Sequence, residues 1–249
     1  MIRVLLLLLL ALPARAETVV AGLSQNRIAI TANFDGSEIM VFGAIARDSP
    51  APAAAPEVIV TVEGPSLPVT VHRKTREVGI WINTEAVKIT RAPSFYAIAT
   101  TGPLSDILSD TENLRHKITI SRAIRAVGTA DDAADAPNFT EALIRLRRAE
   151  GAYHVSEGAV SLDQGTLFRT DVALPANLTE GSFRVRIFLT RGGAVVDTYE
   201  TMIEVRKEGL ERLLHRLALD RPLVYGILSL VIAVVAGWGA SAAFRLMRA

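Results

Sequence analysis

The stretch SFRVRIFLTRGGAVVDTYETMIEV, residues 182–205, decides the fold class. Phe183, Val185, Ile187 and Leu189 alternate with Arg184 and Arg186, the period of two that sends successive side chains to opposite faces of a strand. Arg191-Gly192-Gly193 breaks the pattern where glycine can take the positive φ of a tight reversal. Alternation then resumes over 194–205. Two strands joined by a hairpin predict a β protein, and the chain on either side extends the reading.

Residues 166–172 alternate in the same way. Further upstream, strands are predicted at 18–23, 27–31, 38–46, 58–63, 67–73, 78–83 and 95–100, rich in Val, Ile, Thr and aromatics. Ser24-Gln25-Asn26, Asp35-Gly36, Gly64-Pro65 and Lys74-Thr75-Arg76 supply the turn chemistry between them. Seven short strands predict a mainly β, immunoglobulin-like antiparallel sandwich over 17–101, lacking the Cys-Trp-Cys core but with Trp81 able to plug it. The Pro/Ala-rich segment 48–57 reads as an extended loop between strands.

The period changes over 102–153, a helical connecting region. A turn is expected at 104–108, a helix over 113–127, and a loop over 128–137. Asn138 is the expected N-cap of a second helix, with Glu141 at its third position and Phe139, Ala142, Leu143 and Leu146 on one face. Strands return from His154. Residues 154–205 either form a smaller second β region or complete the first, and the pattern fits both.

The two ends set the compartment. Arg3, the apolar run 4–12, Pro13 and Ala14-Arg15-Ala16 have the layout of a secretory signal peptide over 1–16, cleaved before Glu17. Residues 223–244 run for 22 positions without a charge between Arg221 and Arg245. As a helix they reach about 33 Å, enough to cross a hydrocarbon core of about 30 Å. A transmembrane helix is therefore expected over 222–244, followed by a cytoplasmic tail, 245–249. Residues 206–221 predict an amphipathic helix with Leu210, Leu213, Leu214 and Leu217 on one face, lying on the lipid surface or packed on the β region. Lys and Arg counts beside the span favour the opposite orientation, but a large domain behind a signal peptide is translocated largely regardless of charge. The expected location is the inner membrane, crossed once, with the body in the periplasm.

The chain has 27 basic and 26 acidic residues; removing Arg3 and Arg15 with the signal peptide leaves 25 against 26. This balance, like the compartment, argues against nucleic acid as a partner. There is no cysteine, so disulfides, thiolate metal sites and cysteine nucleophiles are excluded and core burial must hold the fold.

Together AGLSQNRIAI, FDGSEIMVFGAI, VIVTVEGP, VHRKTREVGIWIN, APSFYAIATTGPL, LFRTDVALPANLTEGSFRVRIFLTRGG and YGILSLVIAVVAGWGAS, between Ala21 and Ser241, resemble the alphaproteobacterial single-span transmembrane family Alph_Pro_TM. The resemblance implies a signal peptide, a periplasmic region, one anchor and no assigned activity. It also implies a gene neighbourhood shared with sulfite-exporter-like permeases.

No catalytic motif stands out: G-x-S-x-G, S-x-x-K, H-E-x-x-H, phosphate loops and dinucleotide fingerprints are all missing. His72, His116, His154 and His215 are scattered without ligand spacing. Asp131, Asp132 and Asp135 lack the interleaved glycine and closing acid of a calcium loop. Neither metal nor cofactor is expected. Arg73, Lys74 and Arg76 gather three cations on a predicted turn, either an oxyanion or partner site or a charged tip that deters edge pairing. Ser229, Ala233, Gly237 and Ser241 recur every fourth residue, a small-residue ridge on which another helix can pack.

The chain thus reads as a membrane-anchored binding protein. It is either an accessory subunit of an inner-membrane transporter or envelope complex, touching an integral membrane protein or a second copy through its helix, or a tethered binder of a periplasmic ligand or envelope polymer. A pocket beside Arg73–Arg76 would favour the second. An enzyme of unfamiliar type is the third reading.

Overall fold

The computed structural model describes residues 17–31, 34–47, 54–126, 136–207 and 217–247. The expected signal peptide, the acidic loop at Asp131–Asp135, His215 and most of the expected 206–221 helix lie outside the described residues. Contacts divide the chain into Met1–Ile28 with Phe34–Val205, here the body, and Ala29–Asn33 with Arg206–Ala249.

The strands are β1 Glu17–Leu23, β2 Arg27–Ile30, β3 Ser37–Arg47, β4 Glu57–Glu63, β5 Ser66–Glu77, β6 Ile80–Pro93, β7 Tyr96–Thr100, β8 Arg125–Ala126, β9 Tyr153–Ser156, β10 Ser161–Asp163, β11 Leu167–Leu174, β12 Gly181–Arg191 and β13 Ala194–Lys207. The helices are α1 Leu104–Ile107, α2 Asp110–His116, α3 Ile120–Ala123, α4 Ala136–Ala149 and α5 Pro222–Met247. They form a four-stranded sheet, β1-β3-β11-β10, a six-stranded sheet, β2-β13-β12-β4-β7-β9, and a three-stranded sheet, β5-β6-β8. The β7–β9 pair is parallel; the other pairs registered here are antiparallel.

The pairing answers what the sequence left open about 154–205. Strand β11 pairs with β3, and β12 with β4, so the late strands complete sheets begun by the early ones. The expected hairpin is present, with Gly192 and Gly193 at φ 56° and 80° between β12 and β13.

Burial explains the layering. In β4 every residue from Val58 to Glu63 is buried, the behaviour of a strand covered on both faces. Ile59 joins Ile98 and Phe188 in a core with Ile107, Ile118, Phe139 and Leu143 of the helical layer and Val71, Val87 and Ile89 of the β5–β6 hairpin. Val58, Val60 and Val62 alternate to the opposite face. There β11, whose Phe168, Thr170, Val172 and Leu174 are buried, lies against the six-stranded sheet through β7. The six-stranded sheet is thus a middle layer.

At the edge of this core, burial disfavours the charged form of Glu17, but hydrogen bonds from Arg191 (2.7 Å) and Arg47 (2.8 Å) overcome it and hold the carboxyl below the usual carboxylate range.

Four local expectations are corrected. Lys74-Thr75-Arg76 is no turn: β5 continues to Glu77, Arg76 faces Trp81 across the ladder, and the chain reverses at Val78-Gly79. Trp81 does not plug the core; it is 67% exposed, because the hairpin runs past the layer that buries Val71 and Val87. The expected 113–127 helix is broken where Lys117 turns left-handed at φ 53°, ending α2 and separating it from α3 and β8. Helix α4 begins at Ala136, so Asn138 lies in its first turn rather than at its cap.

Helix α5 has 26 residues, about 39 Å by helical rise. Its segment Pro222–Ala240 has a mean hydropathy of 2.1 and is long and apolar enough to cross a membrane.

Candidate functional site

The site is built on the end of β4. Glu63 is buried, and its register partner across the ladder in β12 is Arg184. Arg184 Nη2 donates to Glu63 Oε2 at 3.0 Å, and Arg91 Nη2, from the end of β6, donates to Oε1 at 3.2 Å. Arg186, two residues along β12 and so on the same face, approaches the same carboxylate at 4.0 Å.

Arg186 does more than face Glu63. Its Nη1 donates to the His116 carbonyl at 2.7 Å, and its Nη2 donates to the Tyr96 hydroxyl at 3.2 Å and the Lys117 carbonyl at 3.4 Å. The guanidinium lies 5.2 Å over the Phe188 ring, while Nε is buried without a hydrogen-bond partner. The Tyr96 hydroxyl donates to the Ile118 carbonyl at 2.8 Å. Burial, against the pull of Arg186, pushes its pKa up to about 12, so it remains a neutral donor. These bonds fasten the left-handed link after α2 onto the sheet. The link in turn carries Lys117, Arg122 and Arg125 to the rim.

The result is a cleft of about 480 Å³ lined by Arg91, Lys117, Arg122, Arg125, Arg184 and Arg186, with Glu63 as its carboxylate. Among the described residues, Lys117, Arg122 and Arg125 make no ion pair. The neighbouring acid, Glu112, is taken by Arg115 at 2.6 Å and faces His116 at 3.3 Å. A concave wall with six fixed cations focuses positive potential inward, and arginine forks match the oxygens of phosphate, sulfonate or carboxylate.

A larger depression of about 740 Å³ lies on the other side of α3, with Ser121 lining both. Its wall includes Ile98, Leu104, Ile120, Ile144 and Val155. Glu157 there accepts from the Leu104 amide at 3.0 Å, the His154 ring packs edge-on against Phe95, and Arg148 is the cation of the lining. Burial lowers the His154 pKa despite a hydrogen bond with the Gly151 backbone, keeping the ring neutral at pH 7. Charge, not volume, therefore selects the smaller cleft.

The residues singled out from sequence lie elsewhere. Arg73 pairs with Glu85 at 2.8 Å and covers the Phe139 ring of α4 at 4.9 Å, so it fastens the hairpin to the helical layer. Lys74 and Arg76 are exposed on β5, and neither cleft includes the three cations. Ser229, Ala233 and Gly237 follow one side of α5; the Ser229 hydroxyl already donates to the Tyr225 carbonyl at 2.9 Å. The Ser241 side chain lies outside the described residues. Among those described, no group of three or more His, Cys, Asp or Glu is placed to hold a metal. Sequence reasoning passed over Arg184 and Arg186 because alternation made them the polar face of a strand. The signal present was the density of basic residues over 115–125.

No curated protein matches the sequence. Among solved structures, the sporulation control protein Spo0M of Bacillus subtilis is similar over 78% of this chain and 50% of its own, at 9% identity and a TM-score of 0.28. That likeness is too slight to carry an argument. The family comparison is decisive: the profile described as "Putative transmembrane protein (Alph_Pro_TM)" matches residues 18–246, which include both the β body and the apolar helix, and the chain belongs to that family.

Proposed function

We propose that this is a membrane-anchored binding protein whose body holds an anionic ligand in the arginine cleft around Glu63. The observation that carries the reading is six permanent cations around one carboxylate, three of them without an acidic partner among the described residues. The volume suits a small organic anion or one unit of an anionic polymer. Binding is favoured over catalysis because Ser121 and His116 are engaged apart, the first beside Thr119 and the second with Glu112. Full-length protein in nanodiscs, titrated calorimetrically with inorganic pyrophosphate, tests it. Each charge-assisted contact contributes about 1.5–3 kcal/mol, so Arg122→Ser with Arg125→Ser should weaken binding at least about a hundredfold. Melting should shift little, because exposed substitutions stay within about 0.5 kcal/mol. Unchanged pyrophosphate affinity would remove the cleft from consideration.

The body is read as immunoglobulin-like on strand order: β1-β3-β11-β10 follows the ABED sheet, and β13-β12-β4 follows GFC. Its place in the periplasm, anchored in the inner membrane, rests on the signal-peptide layout. The ridge of Ser229, Ala233, Gly237 and Ser241 supports a helix contact with an integral membrane protein or a second copy. In spheroplasts, protease should remove the body and leave a helix fragment still crosslinked to its partner. Ala233→Ile with Gly237→Ile should abolish that crosslink without preventing insertion. A protected body, or a crosslink that survives both substitutions, would count against these assignments.

A further inference from the structure

The β5–β6 hairpin outruns the fold that supports it. Its root is buried through Val71, Val87 and Ile89 and held to α4 by Arg73 over Phe139. Beyond Arg73 no residue up to Ala86 is buried. At the apex the chain places Val78, fully exposed, then Ile80 at 64% and Trp81 at 67% exposure. Three large apolar side chains within four residues, on a reversal surrounded by water, have no folding purpose.

The turn itself sharpens the point. Val78 sits at φ 49° and Gly79 at φ 87°, the paired positive values of a turn that favours Asn, Asp or Gly at its first position. A β-branched residue is strained there. Asparagine would serve the fold better, so the valine is explained by what its side chain meets outside it. Across the ladder, Arg76 faces Trp81 and Lys74 faces Asn83. By the period of two these four share one face, with both cations exposed and making no ion pair among the described residues.

The geometry points to a docking tip for an anionic phospholipid bilayer, a surface separate from the arginine cleft and independent of that reading. Valine and isoleucine enter the acyl boundary, the indole takes the interfacial position that tryptophan favours, and Lys74 and Arg76 meet the headgroup charge. A bilayer is the chosen occupant because the chain carries a helix long and apolar enough to cross a membrane and because the tip joins apolar apex to cationic flank.

The chain has two tryptophans, so Trp238→Phe leaves Trp81 as the sole reporter. Full-length protein is reconstituted in nanodiscs of brominated phosphatidylglycerol and phosphatidylcholine. In a second arrangement it is placed in unbrominated discs and offered brominated vesicles of the same composition. Trp81 emission should shift to the blue and be quenched in at least one arrangement. Quenching should fall with added salt, with phosphatidylcholine alone, and with Lys74→Ser plus Arg76→Ser. Val78→Asn with Ile80→Ser should also lose quenching. The Val78→Asn change alone relieves the strained φ, so its melting temperature should hold or rise, which separates lost docking from lost folding. Emission that stays red and unquenched in both arrangements overturns the proposal and assigns the tip to a protein partner. Quenching that survives removal of both cations and both apolar side chains overturns it too.

Discussion

Phe188→Ala should destabilise the body by about 3–5 kcal/mol, the range for deleting a fully buried aromatic ring. Phe188 is completely buried, opposite Ile59 of β4 in the ladder, and faces Ile118 and Phe139 of the helical layer in a shared core. His116 packs edge-on at 5.6 Å on the same ring. The cavity left by alanine cannot close easily, because hydrogen-bonded strands flank the position on both sides. For a chain of this size each kcal/mol lowers the melting temperature by about 2–4 °C, so circular dichroism should find a fall of about 6–20 °C. Phe188→Leu keeps much of the volume and should lose far less. A Phe188→Ala protein that melts with the wild type would contradict the middle-layer position of the six-stranded sheet.

Arg186→Ala should cost about 3 kcal/mol, because it removes the donor of the His116 carbonyl and withdraws a cation from buried Glu63, each such loss costing about 1–3 kcal/mol. The loss should be local before it is global. Backbone amides of the link between α2 and α3 should exchange with deuterium sooner than those of β4 and β12. Arg186→Lys should rescue poorly, since a single ammonium cannot reproduce a planar fork serving three acceptors. The guanidinium lies over Phe188, so the double substitution should cost less than the two single losses added. Arg186 is thus a positioning residue for the cleft, whereas Arg122 and Arg125 test the proposed anion binding.

These residues also show where sequence reading succeeds. The strands of 182–205, the paired glycines between them and the apolar run of β4 were legible because period and turn chemistry are local properties. The hairpin reversal was not, since Lys74-Thr75-Arg76 has turn-like composition while Val78 at positive φ contradicts every preference of its residue type. The break after α2 escaped for a similar reason: a lysine in the left-handed region leaves no glycine or proline to announce it. Alternation correctly set Arg184 and Arg186 opposite Val185 and Ile187. It could not reveal that a layer drawn from 104–126 would close over that face, because this depends on tertiary packing between segments far apart in the chain.

The interleaving of early and late strands also dictates an order of events. Synthesis delivers β1 and β3 first, yet Val41, paired with Leu23, gains its second neighbour only when Thr170 arrives, and Val60, paired with Ala99, waits for Ile187. Until then β3 and β4 each lack a flanking strand, and such unpaired edges are templates for association with other chains. The β5–β6, β10–β11 and β12–β13 hairpins can close on their own; joining them to the other strands needs contacts of higher sequence separation, which form slowly. Truncation anywhere before β12 should therefore yield an aggregating fragment rather than a smaller domain, and the nascent chain needs a holding chaperone for most of its length.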